Sequence, residues 1–271
     1  MSDSRTDSTR TVEARLPPSV RAGLFDLDGV LTHTALLHAA AWKESFDEVL
    51  QAIAEQRGTE FVPFDASADY LRYVDGLPRL DGIHAFLAAR NIDLPAGSDG
   101  GGSDGDSSDG DSSADPAPMT IAGLARRKND LFNGHLERDG VQVIEPSRAF
   151  VTQMHDAGIP CAIVSSSTNA AVVVERADMA GLFELQVDGV VAKREHLAGK
   201  PAPDTFVYGA RLLGVDPADA AVFEDAVAGV QAGRAGGFGF VVGIGAGAHA
   251  QSLLVAGADV VVADLGELSL P

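Results

Sequence analysis

Across 271 residues the sequence holds one cysteine, one tryptophan and four methionines, and its aromatic content is only 6%. A single thiol, Cys161, excludes a disulfide framework. It follows Pro160 at the start of a Val/Ile-rich run, where it reads as a small buried hydrophobe. Positive charge is also scarce: 20 Lys and Arg stand against 39 Asp and Glu, a net charge of −19. Such a balance argues against duplex DNA and anionic membranes as partners. No apolar run reaches the roughly 20 residues of a membrane span. The start, Met1 to Pro18, has no apolar stretch behind its charges, so it does not read as a signal peptide. A cytoplasmic monomer with neither nucleic-acid nor membrane partner is expected. What the chain does have is 45% hydrophobic residues, enough for a large core without disulfide or metal staples.

Two stretches lack any hydrophobic period. Residues 1–18, rich in Ser, Thr, Asp and Arg, read as a disordered tail. Residues 97–115 contain six Gly, six Ser, six Asp and one Ala; such a segment buries too little apolar surface to offset its chain entropy. The unstructured insert, taken as running to about residue 118, is expected to be passive. A calcium loop is the alternative reading, but the aspartate spacing fits neither an EF-hand nor a glycine-rich nonapeptide repeat.

Between these stretches two kinds of pattern are separated along the chain. Residues 36–56 carry apolar positions at helical spacing (Leu37, Ala41, Phe46, Leu50, Ile53), and further helices are predicted near 80–90 and 119–138. Trp42 is expected to pack within this helical unit. From about 146 onward, short Val/Ile-rich runs (161–167, 220–226, 238–244 and 259–264) alternate with helical stretches, as in parallel βαβ units. One isolated strand, AGLFDLD at 22–28, precedes the helical unit. The fold class is therefore α/β: a Rossmann-like parallel-sheet core (19–35 and 141–271) with an inserted helical cap (36–140).

Candidate chemistry gathers at strand ends, where open α/β sheets bind ligands. Asp26 and Asp28 sit two apart, so both can face one cavity; two such carboxylates repel unless a cation or shared proton separates them. The bland alternative is an Asp-Gly turn. Ser165, Ser166, Ser167 and Asn169 lie between a strand end and a helix start, where hydroxyls and free amides suit an anion; simple N-capping is the alternative. Lys200, held between Gly199 and Pro201, offers a counter-charge or a solvated surface group. Glu224 and Asp225 close another strand and, with Asp26, provide hard oxygen ligands of the kind Mg²⁺ prefers.

The order DxDG, Ser at a strand end, Lys, then an acidic pair resembles the haloacid dehalogenase superfamily. The opening FDLDGVLTHTALLHAAAW, with VDGLPRLDG and LARRKND, resembles its beta-phosphoglucomutase-like members in particular. That resemblance implies that Asp26 attacks phosphorus and that Asp28 handles the proton. It implies Mg²⁺ held by Asp26, the Asp28 carbonyl and Asp225, with Glu224 close by. Ser165, Ser166 and Lys200 would bind the transferring phosphoryl group. His38 would link cap closure to Asp28. Gly76, Arg79, Lys128 and Asn129, helped by Ser167 and Asn169, would contact a sugar phosphate from the cap side. The cap residues can also be read as exposed polar groups, with Arg79 paired to Asp75 or Asp81. The implied reaction is a mutase interconverting beta-glucose 1-phosphate and glucose 6-phosphate. A phosphatase on the same scaffold is the alternative, and a non-catalytic phosphosugar-binding protein the third. Two departures stand out. His33 replaces an aspartate in the hinge, and Thr168 replaces a lysine near the distal phosphate.

Overall fold

The computed structural model describes residues 14–97 and 119–271. In chain order the strands are β1 (Ala14–Arg15), β2 (Ala22–Phe25), β3 (Cys161–Val164), β4 (Leu185–Val187), β5 (Ala220–Glu224), β6 (Phe240–Ile244), β7 (Val260–Val262) and β8 (Leu268–Ser269). The α-helices are α1 (Thr34–Arg57), α2 (Arg79–Ala89), α3 (Ile121–Asp139), α4 (Glu145–Asp156), α5 (Ala170–Arg176), α6 (Gly189–Arg194), α7 (Asp204–Leu213), α8 (Val227–Ala235) and α9 (Gly247–Ala256).

Among the described residues, six strands form one parallel sheet in the order β4-β3-β2-β5-β6-β7. The strands are short and apolar because both faces are covered. Leu24, Ala162, Val164 and Val222 pack on one face with Phe206 and Val230, while Phe25, Ile163 and Phe223 pack on the other with Phe150 and Met154. The chain winds from β2 out to β4, then returns to start β5 on the other side of β2. That reversal is the switch point at which the carboxyl ends of strands leave a crevice for ligands. Asp26 follows β2, and Glu224 and Asp225 end the adjacent β5, so the sheet order alone brings these acids together.

Helices α1–α3 form the cap over their own aromatic core, in which Phe46 meets Phe86 at 4.2 Å and Phe64 at 5.1 Å between ring centroids. Helix α1 runs long on its Ala, Leu and Glu content and ends at Gly58. There φ of 63° lets the backbone N–H reach the Ala54 and Glu55 carbonyls. Helix α3 starts at Thr120, whose hydroxyl accepts from the Gly123 N–H at 2.9 Å. The two chain crossings between core and cap are stitched together: His33 N–H donates to the Gln142 carbonyl at 2.8 Å, and Ile144 N–H to Leu31 at 2.9 Å. His33 uses its backbone there, while its side chain is exposed.

The tail does not extend to residue 18. Strand β1 pairs with β8, and Leu16 and Val20 are buried in the core; the polar composition masked two apolar anchors. Residues 1–13, and 98–118 of the Gly/Ser/Asp segment, lie outside the described residues. Strand β4 was not foreseen; it is a three-residue edge strand with a glutamine at its centre. Among the described residues no helix is long and apolar enough to cross a membrane.

Candidate active site

Strand β2 pairs up to Phe25, and the backbone then continues so that Asp26 N–H donates to the Phe223 carbonyl at 2.9 Å. Both Asp26 oxygens are engaged: one accepts from the Asp28 N–H at 2.8 Å, the other lies 2.5 Å from Lys200 Nζ. Lys200 is 1% exposed, far from a solvated surface lysine, and also contacts Glu224 Oε1 at 2.5 Å and the Val164 carbonyl at 3.0 Å. The other Glu224 oxygen accepts from Ala226 N–H at 3.1 Å. Burial disfavours charge on all three members. Lys200 is nevertheless held above its ordinary value by Asp26 and Glu224, while burial raises Asp26 and lifts Glu224 to about 8. One ammonium therefore stands between two buried carboxylates.

Asp28 lines the same cavity as Asp26, as their spacing required. One of its oxygens accepts from the Thr34 hydroxyl at 2.5 Å and lies 3.3 Å from His38 Nε2, while the other accepts from Ser165 at 3.4 Å. Burial opposes ionisation of Asp28, but His38 and the Thr34 hydrogen bond win and bring its pKa to about 2. Behind it, His38 Nδ1 lies 2.6 Å from Lys128 Nζ. This network fits an ammonium donating to Nδ1 and an Nε2–H facing Asp28. Burial and Arg79 lower Lys128 to about 7. Its ammonium lies 5.1 Å from the ring of Trp42 and 5.0 Å from that of Phe132.

Asp225 closes the acidic end. A side chain at Gly29, where φ is +100°, would put its Cβ 1.9 Å from Asp225 Oδ2, so the carboxylate occupies the space that glycine leaves. His249 Nε2 lies 2.6 Å from the Asp225 carbonyl and fixes that turn. Burial raises Asp225 well above the carboxylate range, with Asp75 and Asp26 adding to it. Asp75 comes from the cap, and the sequence offers it only as a partner for Arg79. Burial and Asp26 push it up to about 7, against the hydrogen bond from Tyr70. Four carboxylates thus converge with too little positive charge between them, which is the electrostatic condition for a cation. Among the described residues no three Asp, Glu, His or Cys side chains cluster tightly enough to hold an ion unaided. The donor set suits Mg²⁺ all the same, because that ion is held by one or two carboxylates and completes its shell with water and substrate phosphate.

The opposite end of the cavity is cationic. Arg79, at the start of α2, donates to Ala125 O at 3.3 Å, Asn129 Oδ1 at 2.8 Å and the Thr168 hydroxyl at 2.9 Å. It pairs with neither Asp75 nor Asp81. Asn169 Nδ2 also donates to Asn129, at 3.0 Å. Thr168, noted as a lost positive charge, is therefore a latch between cap and core. Ser165 and Ser167 accept from the backbone N–H groups of Ser167 and Asn169, each at 3.1 Å. Ser166 was foreseen as a phosphate ligand, but its hydroxyl donates to the Gly76 carbonyl at 2.8 Å and so ties cap to core. Trp42, Leu77, Ala122 and Ala125 also line the cavity. The cavity measures about 540 Å³, within the range of small-molecule sites. The contacts made by Thr34, Thr168, Tyr70 and Asp75 were missed. Only the VDG turn before Arg79 hinted at one of them.

Comparison with known proteins bears directly on this arrangement. A family profile described as a haloacid dehalogenase-like hydrolase matches residues 20–237. The chain belongs to that family. Within it, the chain is a beta-phosphoglucomutase-like enzyme: it is 50% identical over 257 residues to the beta-phosphoglucomutase of Mycobacterium bovis, covering 93% of each chain. It is 31% identical over 252 residues to the protein of that name from Bacillus subtilis, covering 93% of this chain and 92% of the relative. A solved beta-phosphoglucomutase structure from Clostridium difficile superposes with a TM-score of 0.67 at 22% identity, covering 92% and 93% of the two chains. That likeness supports the cap-bearing fold of a haloacid dehalogenase-like hydrolase.

Proposed function

We propose that this enzyme is a Mg²⁺-dependent phosphosugar mutase. It interconverts beta-glucose 1-phosphate and glucose 6-phosphate through an aspartyl phosphate and glucose 1,6-bisphosphate. The observation that carries the reading is a single cavity with two unlike ends. Asp26 and Lys200 serve a transferring phosphoryl group at one end, and Arg79 offers a guanidinium to a second phosphate at the other. A mutase needs both, because its bisphosphate intermediate must present each end to Asp26 in turn. Relatives named beta-phosphoglucomutase support the same substrate class. Small sugar phosphates handled in the cytoplasm by a monomer complete the reading.

In this mechanism a carboxylate oxygen of Asp26 attacks phosphorus. An acyl-phosphate bond forms as the ester P–O bond breaks, splitting a difficult displacement into two easier ones. Asp28 takes a proton from the attacking sugar hydroxyl when the aspartyl phosphate passes on its phosphoryl group, and gives that same proton to the departing oxygen when Asp26 attacks the bisphosphate. The structure's Thr34, His38 and Lys128 contacts keep Asp28 ionised, which suits the base half of that cycle. Lys200 and Ser165 bind phosphoryl oxygens, and Glu224 acts through its grip on Lys200. Asp26, the Asp28 main-chain carbonyl and Asp225 would hold Mg²⁺, whose charge would offset that of the nucleophile and the phosphate. The phosphatase alternative uses the same core with water as acceptor, and it differs only in whether the closed cap excludes water.

The test is incubation with beta-glucose 1-phosphate, Mg²⁺ and a trace of the 1,6-bisphosphate. Glucose 6-phosphate is expected without stoichiometric inorganic phosphate; free phosphate as the main product would overturn the mutase assignment in favour of the phosphatase.

A further inference from the structure

The loop Asp75–Pro78 is where the cap comes down on the catalytic core. Ser166 donates to the Gly76 carbonyl at 2.8 Å. Gly76 has φ of +70°, and a Cβ there would lie 2.6 Å from the Ala226 Cβ, one residue past Asp225. The Pro78 ring fills the space beside Gly199, 2.2 Å from where a Cβ would stand, one residue before Lys200. The loop is thus seated between the two core turns that carry Asp225 and Lys200. Seating it carries the Asp75 carboxylate into the cavity lined by Asp26, Asp28 and Asp225.

That arrangement is costly by itself. Docking brings a fourth carboxyl group beside three others in a partly desolvated space, where ionised neighbours repel more strongly than in water unless some of them hold a proton. A cation placed among Asp26 and Asp225 reverses the sign of the interaction. We infer that Asp75 is a cap-borne positioning residue that makes docking of this loop and cation binding at Asp26 and Asp225 mutually dependent. The inference rests on the Mg²⁺ site of the proposed function and extends it. Linkage is reciprocal, so the docked loop tightens the cation as much as the cation tightens docking.

The experiment is calorimetric titration of the full chain with MgCl₂ in the absence of substrate. The fluorescence of Trp42, the chain's one tryptophan, which lines the same cavity, is followed in parallel. Asp75→Asn, which keeps the shape and a polar partner for Tyr70, is expected to weaken Mg²⁺ binding about tenfold. Gly76→Ala leaves the carboxylate in place but obstructs docking, and it should weaken binding comparably. The double variant should be no worse than either single one, as for two changes that break one interaction. Thermal melts confirm that each variant folds. Asp75→Asn binding Mg²⁺ as the wild type does, or effects that add in the double variant, would overturn the inference. If the wild type binds Mg²⁺ and forms glucose 6-phosphate while Asp75→Asn leaves affinity unchanged, this inference alone falls. If the wild type binds no Mg²⁺, the cation site proposed above falls with it.

Discussion

Arg79 in the cap lines the cavity, Lys200 in the core sits behind the Asp26 that lines it, and the two cations are held in opposite ways. Lys200 is buried between two carboxylates and a carbonyl, so its charge is already compensated. Arg79 is partly exposed, and the hydrogen bonds it makes to Ala125, Asn129 and Thr168 all go to uncharged groups. The first arrangement holds the Asp26 carboxylate in place; the second leaves the Arg79 guanidinium with Asp130 near it but with no carboxylate among its hydrogen-bond partners, as the proposed second phosphate site requires. Under the function proposed above, the contrast becomes a division of labour: phosphoryl transfer in the core, choice of what receives the phosphoryl group in the cap.

The strongest way to break that division is at Asp26, the proposed nucleophile. Asp26→Asn should abolish phosphoenzyme formation and lower turnover by roughly 10⁴-fold or more, whichever acceptor is offered. Radiolabelled donor and rapid quench would check it, and residual turnover near wild type would contradict the core's role. A smaller effect follows from Gly29→Ala, because the new Cβ must displace Asp225 and the backbone there has φ of +100°. A shift of that size should cost about 10²-fold in kcat, measured alongside Mg²⁺ affinity, which should also weaken.

The mildest prediction concerns the cap and its pH response. Lys128 is lowered to about 7 from 10.5 by burial and by Arg79. Between those values the unfolded chain binds a proton that the folded chain does not, so wild-type stability rises with pH across that window. Lys128→Met removes this dependence. Its melting temperature should exceed the wild type's by the widest margin below pH 7, and the gap should shrink toward pH 10.5. A gap that does not change with pH would show that Lys128 is not carrying that burial cost.

The two regions also differ in how much of them could be read beforehand. Asp26, Asp28, Glu224 and Asp225 were legible because they terminate apolar runs, and in a parallel sheet the strand end is where a ligand meets the chain. The position of Lys200 was legible, but its burial was not, since that depends on Glu224 and Val164 arriving from two other strands. Strand β4 escaped notice because three residues around Gln186 carry no usable period. The β1–β8 pair escaped because it joins the two ends of the fold. In the cap, Asp75 and Arg79 are neighbours along the chain but turn to different ends of the cavity, a separation set by how the loop seats on the core. Thr168 read as a missing charge, and only the tertiary approach of Arg79 shows what its hydroxyl does.

The division between core and cap is tested most directly by Arg79→Ala, assayed in two ways on one preparation. Phosphorylation of Asp26 by acetyl phosphate, which carries no second phosphate, should proceed as in the wild type. Conversion of beta-glucose 1-phosphate to glucose 6-phosphate should fall by about 10²-fold, the scale of losing a charge-assisted phosphate contact of 1.5–3 kcal/mol together with the positioning it provides. Equal losses in both assays, or none in either, would contradict the account.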